Sequence, residues 1–340
     1  MAAAWVTLAS SGPVVAQPPQ TSPPEPPLRR WLLLETASIG SRYRVFENSD
    51  DVLTNNQLQF RTQLRARFKL DEDGRYYVHG NVTSGSSFVS SWNNTGIGTG
   101  DPVGTVRVRH LFGAASPVAG FEGQVGSLYV VRGESTEITT YDEDGYLMGA
   151  RVIVTRPQDI WFDEISFTNA RLGEIDEINV FNRFDGFGDP NYRHLLVRKE
   201  LPGSLAASAD FTSHDGARTL RGAFTWEPAI ATVHLEGYRR IRGSPDGGLS
   251  VSAERRLTDR FRATIGYTTI DPLYGNLNSD RFFSGQRVYV MTAWAVAPWL
   301  GVTTFYTKAF GNDFPVALDH RFDVVATYNV LDTLRRTGRF

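Results

Sequence analysis

LQFRTQLRARFKL, residues 58–70, decides how this chain is read. Leu58, Phe60, Leu64, Ala66, Phe68 and Leu70 share one parity, interrupted only by Thr62. Gln59, Arg61, Gln63, Arg65, Arg67 and Lys69 share the other. Successive side chains of a strand point to opposite faces, so one face of this segment is apolar and the other carries cations. A soluble sandwich and a membrane barrel both use such alternation. In the sandwich the apolar face is inside. In the barrel it faces lipid, and the polar face lines the lumen.

The same pattern recurs along the chain. LRGAFTW sets Leu220, Gly222, Phe224 and Trp226 against Arg221 and Thr225. FRATIGYT sets Phe261, Ala263, Ile265 and Tyr267 against Arg262 and Thr264. RFDVVATYN sets Phe322, Val324, Ala326 and Tyr328 against Arg321 and Asp323. From Trp31 onward the periodicity is two, not 3.6, and the segments are bounded by Gly, Pro, Asn and Asp. The spacing predicts about sixteen strands, many close to the roughly 9–11 residues that a tilted strand needs to cross a bilayer. Short links such as DEDGR, SPVAG and LPG alternate with longer polar ones such as SWNNTGIGTGDPVG and GEIDEINVFNRFDGFGDPN. In an up-and-down meander, that alternation gathers the long loops at one end. A sheet of so many antiparallel strands favours closure, which removes unpaired edges. The expected fold is all-β, an antiparallel up-and-down transmembrane barrel over residues 31–340.

Composition narrows the function. The chain has 340 residues, with 35 Lys and Arg against 37 Asp and Glu. That near-balance gives no global attraction to nucleic acid, and none is expected as a partner. There is no cysteine, which removes disulfides, thiolate metal sites and thiol catalysis. No run of 18 apolar residues occurs, so no helix is expected to span a membrane. Residues 1–16 read as a signal peptide, with Val14 and Ala16 before a cut. Residues 17–30 form a Pro-rich linker, and QPPQTSPPEPP alone holds six prolines.

The candidate site is the polar parity. Arg61, Arg65, Arg67, Arg107, Arg109, Arg151, Arg221, Arg240 and Arg262 fall on it as pore-lining candidates. Arginine is always charged, and rings of it favour anions in pores. Glu227, Glu236, Glu254 and Asp323 share that parity, so ion pairs that only stiffen the wall are the competing reading. Glu174, Asp176, Glu177, Asp185 and Asp189, in the longest loop, are candidates for a constriction. The six histidines are scattered, and no metal or other cofactor is expected. His110 falls on the apolar parity of VRVRHLF, which raises a lipid-side catalytic reading. No nucleophile elbow, phosphate loop or zinc-protease helix accompanies it.

An export signal, a meander of amphipathic strands and a terminal Phe340 together resemble the bacterial outer-membrane porins. The resemblance covers residues 31–340 as architecture, without a sharp motif. It implies location in the outer membrane among its lipids, and recognition by the barrel-assembly machinery through Phe340. It also implies passive passage of small solutes without catalysis. The arginine-rich polar face is similar in style to porins for anions and acidic polysaccharide, which makes anion preference the expectation. NVLDTLRRTGRF at the C-terminus departs from the pattern, since it does not alternate cleanly. Two other readings stand beside the channel: a closed barrel that binds or anchors a partner, and a lipid-modifying barrel enzyme.

Overall fold

A computed structural model describes residues 31–47, 53–85, 90–135, 145–172, 177, 179–243, 246–271, 285–310 and 319–336. Strands dominate: β1 (Leu32–Glu47), β2 (Leu53–Lys69), β3 (Tyr76–Ser84), β4 (Asn93–Gly98), β5 (Val106–Ala115) and β6 (Phe121–Tyr129). They continue as β7 (Tyr146–Thr155), β8 (Glu164–Arg171), β9 (Tyr192–Leu201), β10 (Leu205–His214), β11 (Ala217–Trp226) and β12 (Thr232–Arg242). β13 (Gly247–Thr258), β14 (Phe261–Ile270), β15 (Gly285–Ala297), β16 (Leu300–Phe310) and β17 (His320–Asn329) complete the sheet. A 3-10 turn (Asn182–Gly186) and a C-terminal helix α1 (Val330–Arg336) are the helical pieces among the described residues.

Each strand pairs antiparallel with its neighbours, and β17 returns to pair with β1. The sheet is a closed 16-strand barrel with one extra strand. That extra strand is β4. It pairs with the upper part of β2 (Phe60↔Asn93), while β3 pairs with the lower part (Arg67↔His79). β3 and β4 therefore share one place in the wall.

Closure settles which face of residues 58–70 is wet. Leu64 and Phe68 are 44% and 50% exposed on the outside, and Gln59 is buried on the inside. Outward apolar side chains in water have no physical reason to recur around a sheet; in a bilayer they have one. Ile39, Val125, Val152, Leu195, Leu220, Ile265 and Val288 repeat the outward apolar pattern around the barrel. The connections after β2, β5, β7, β9, β11, β13 and β15 lie at one end and are short. The other end carries the longer ones, after β6, β8, β14 and β16, together with short links after β1, β12 and β10; the shortest is the hairpin between β10 and β11. There Asp215 and Gly216 both take positive φ (46° and 82°), the two-residue turn that suits a twisted hairpin.

Two elements depart from the sequence reading. SWNNTGIGTGDPVG reads as a loop yet contains β4. The poorly alternating C-terminus holds α1, where Asn329 is the N-cap: its side-chain oxygen accepts from the Asp332 N–H at 3.2 Å. β17 thus ends at Asn329, and Phe340 lies outside the described residues, as do residues 1–30.

Candidate functional site

The inner wall is built by parity, so the register decides which cations meet. On β1, Arg42 and Arg44 face inward and are both 5% exposed. Arg44 sits opposite Asp323 of β17. Its Nε donates to Asp323 at 3.0 Å, and Arg321 Nη2 donates to the same carboxylate at 2.6 Å. One acid thus serves two guanidiniums. Arg42 donates to Gln59 at 2.8 Å, and its Cζ lies 4.4 Å from the Trp92 ring centre. Arg61 approaches the same indole at 5.1 Å. Gly40 makes room for that ring: a Cβ there would stand 3.1 Å from Trp92 Cη2. Cations over an indole face are attracted by its quadrupole without being neutralised.

Lower on β2, Arg67 pairs with Glu35 at 2.9 Å, and His79 approaches the other oxygen of that carboxylate at 3.1 Å. Arg65 and Arg67 stack on Tyr129 and Tyr77, at 5.0 and 4.3 Å.

β5 carries a bulge. Asn81 pairs with His110 and Val82 with Val108, so Arg109 is the extra residue. The inserted residue flips the parity after it. Arg107 and Arg109 are buried on the inner side, and so is His110, where the local alternation had placed it towards lipid. His110 Nδ1 meets Asn81 at 3.0 Å, Nε2 meets the Gly145 carbonyl at 3.1 Å, and the ring stacks on Tyr129 at 3.8 Å. Both ring nitrogens are engaged in packing the wall.

Arg151 donates to three neutral acceptors: Thr168 Oγ1 at 2.8 Å, Gln124 Oε1 at 3.2 Å and the Tyr129 carbonyl. Arg221 donates to Asp210 at 2.7 Å and Thr212 at 2.6 Å, and His194 lies 3.2 Å from the same carboxylate. Arg240 pairs with Asp246 at 3.2 Å, where burial raises the Asp246 carboxyl above its ordinary value although Arg240 opposes the shift. Arg262 has inward parity but stands exposed at the short-turn rim, 3.5 Å from Glu254.

The long loop after β8 reaches the inner wall through Arg183. Arg183 is buried and donates to the Arg109 carbonyl at 2.9 Å and to Ser127 Oγ at 3.2 Å. Its guanidinium lies 3.6 Å from the Tyr146 ring centre, and burial holds it below its usual pKa. The Glu177 carbonyl accepts from Tyr146 Oη at 2.9 Å, while its carboxylate holds Asn179 N–H at 2.7 Å. Asp189 faces Arg171 at 3.4 Å and is itself exposed. Asp185 lines a cavity of about 250 Å³ with Arg171, Arg183 and Met148. Glu174 and Asp176 lie outside the described residues. Another segment, 130–135, crosses to the inner face of β9 and β10. There Glu134 N–H donates to Ser208 Oγ at 2.8 Å, and its carboxylate accepts from Arg198 at 2.5 Å.

The sequence reading did not single out Arg42, Arg44, Arg183 or Arg287, all buried. The SRYRVFE alternation carried the signal for Arg42 and Arg44. Nothing local marked Arg183, which reaches the wall from a loop. Among the described residues, no group of three His, Asp or Glu side chains is placed to hold a metal ion.

Three-dimensional comparison gives 97% coverage of the Salmonella typhi OmpF chain, solved in complex with daunomycin, with a TM-score of 0.59, 11% identity and 88% of this chain covered. An engineered Rhodopseudomonas blastica porin superposes with a TM-score of 0.56 at 9% identity, covering 87% of this chain and 100% of that one. The barrel shares its fold with the porins. The outer-membrane channel DcaP of Acinetobacter baumannii matches at 0.54 and 12% identity, covering 88% of this chain and 96% of that one. No protein-family model matches the sequence, and the search of curated proteins gave no match. At these identities the likeness is one of fold, and the barrel here carries its own set of inward residues.

Proposed function

We propose that this chain is an outer-membrane channel for passive diffusion of small polar solutes, with a preference for anions. It catalyses no reaction. The observation that carries the reading is the stoichiometry of the inner wall. Asp323 is shared by Arg44 and Arg321, Glu35 by Arg67 and His79, and Asp210 by Arg221 and His194. Arg151 is held by neutral acceptors, and Arg61 meets an indole. Among the described residues, Asp323 thus faces two guanidiniums while Arg61 and Arg151 are held by uncharged groups, which leaves this part of the wall rich in fixed positive charge. In a low-dielectric wall such charge attracts anions and repels cations. A positive wall facing water also explains why the cations are braced by rings and amides: bracing fixes their position without cancelling their field.

In this reading the short turns face the periplasm, the long loops face outward, and the bilayer's lipids surround the apolar belt. Phe340 remains the residue that the assembly machinery would recognise. The test is single-channel current in a planar bilayer under a salt gradient. The expected result is stepwise conductance with a reversal potential on the anion side. Steps with cation preference refute the charge argument and keep the channel. Clean insertion without current refutes the channel and favours a closed barrel that binds a partner.

A further inference from the structure

The outer face is apolar on nearly every strand, but one sector near the long-loop end is not. On β9, Arg193 lies opposite Ser213 of β10, and Ser213 lies opposite Arg218 of β11. The three residues form one row across three strands, so the two arginines stand about 10 Å apart at the backbone. Arg239 of β12 continues the patch, opposite Leu220, two residues along β11 from Arg218. All three arginines have outward parity and are exposed, while His194, Thr219 and Tyr238 beside them point inward and are buried.

The neighbouring acids are engaged elsewhere. Asp215 pairs with His214 at 3.1 Å, and Asp189 with Arg171 at 3.4 Å. Among the described residues, no carboxylate makes an ion pair with Arg193, Arg218 or Arg239; Asp246 feels the charge of Arg239 but pairs with Arg240. Directly below them the wall is lipid-facing: Leu195, Leu220 and Leu235 are each exposed by more than two fifths. At β16 and β17 the matching rim carries outward Tyr306, Phe310 and Phe322 with one cation, Lys308. That sector is mainly aromatic, and this one gathers three arginines.

We propose that Arg193, Arg218 and Arg239 form a lipid-side site for the phosphate groups of lipopolysaccharide in the outer leaflet. The inference rests on the outer-membrane reading above, because that reading puts the long-loop end in the outer leaflet. Three guanidiniums on β9, β11 and β12, with no carboxylate partner among the described residues and standing just above hydrocarbon, match an amphiphile with acyl chains below and phosphates above. Guanidinium binds phosphate through two parallel hydrogen bonds, which a lysine cannot reproduce.

The test titrates the purified full-length barrel, in mild detergent, with lipid A and reads bound lipid by native mass spectrometry. The variant Arg193→Gln/Arg218→Gln/Arg239→Gln should bind more weakly by about fivefold per arginine, on the order of 100-fold in all. The corresponding triple Lys variant should recover part of the loss. Arg255→Gln, an outward arginine at the opposite rim, should leave binding unchanged. Dephosphorylated lipid A should bind the parent as weakly as lipid A binds the Gln variant. Equal binding of lipid A by parent and Gln variant overturns the site. Phosphatidylglycerol binding as tightly as lipid A overturns the choice of occupant. Parallel conductance separates the two ideas: a parent that binds lipid A but passes no current refutes only the channel, and one that conducts but ignores lipid A refutes only this site.

Discussion

Replacing Asp323 with Asn tests the inner wall at its most concentrated point. The carboxylate is buried between Arg44 and Arg321, which are 5% and 1% exposed. Each guanidinium is within 3.0 Å of it. At an effective dielectric of about 20, a unit pair some 4 Å apart between charge centres interacts by about 4 kcal/mol. Asn keeps the volume and one acceptor, but it removes both attractions and leaves the two cations facing each other. Stranding buried charge costs about 3–5 kcal/mol in comparable sites. Equilibrium urea unfolding of the barrel in lipid vesicles should show a loss of that size. The second readout moves the opposite way to stability: one fixed negative charge has left the lumen, so the reversal potential should shift further to the anion side. Adding Arg321→Gln removes one stranded cation and should restore at least about 1 kcal/mol, a coupling expected of groups in direct contact. An Asp323→Asn barrel that unfolds within about 0.5 kcal/mol of the parent, with its reversal potential unmoved, would refute the reasoning.

Changing Arg61, Arg65 and Arg67 together to Gln should lower anion preference while the barrel still folds, since the Arg67–Glu35 pair that is lost is partly exposed; unchanged selectivity in the planar bilayer counts against the charge argument. On the other face, Phe60→Arg puts a cation towards lipid and should cost about 2–4 kcal/mol in vesicle refolding. Asp163, in the short turn before β8, accepts from the Glu200 N–H at 2.5 Å, from Lys199 at 3.1 Å and from the Gln158 N–H at 2.8 Å. These bonds, the Glu200 N–H first, hold its carboxyl below the usual value of about 3.9. A depressed carboxyl stabilises the fold above its unfolded pKa and loses that contribution as pH falls through the folded one. Asp163→Asn should therefore be less stable than the parent at neutral pH, and the gap should close below about pH 4 in unfolding scans. Gly40→Leu should displace Trp92 and change its fluorescence, while a silent spectrum would place the indole elsewhere.

Much of this barrel was legible wherever alternation runs unbroken. In β2, β11, β14 and β17 the parity alone put Arg61, Arg221, Arg262 and Asp323 on the polar side and their neighbours outward. Legibility failed where a single residue broke the count. The bulge at Arg109 reverses everything after it, so His110 reads as lipid-facing and stands inward. β4 was hidden because it extends a neighbour's place in the wall instead of taking its own. The C-terminal helix declared itself only as failed alternation, with Leu331 and Leu334 at helical spacing. Ion pairing was not legible at all: Arg44 and Asp323 are 279 residues apart, and only the closing register brings them together.

That closing register also governs how the molecule can be made. β1 is the first strand out of the ribosome and β17 the last, yet ten residue pairs join them. Hairpin neighbours are tied by a turn; this pair is held by its hydrogen bonds and by side-chain contacts such as Arg44–Asp323 and Arg321 over Phe46. Until the final strand arrives, β1 has a bare edge, and its Leu32–Ala37 stretch has none of β17 beside it even afterwards, where α1 packs against the strand instead. A chain that loses its last few dozen residues is therefore not a slightly weaker barrel. It is an open sheet with two sticky borders, greasy on one side, and protection of those borders until closure is a requirement of the topology itself.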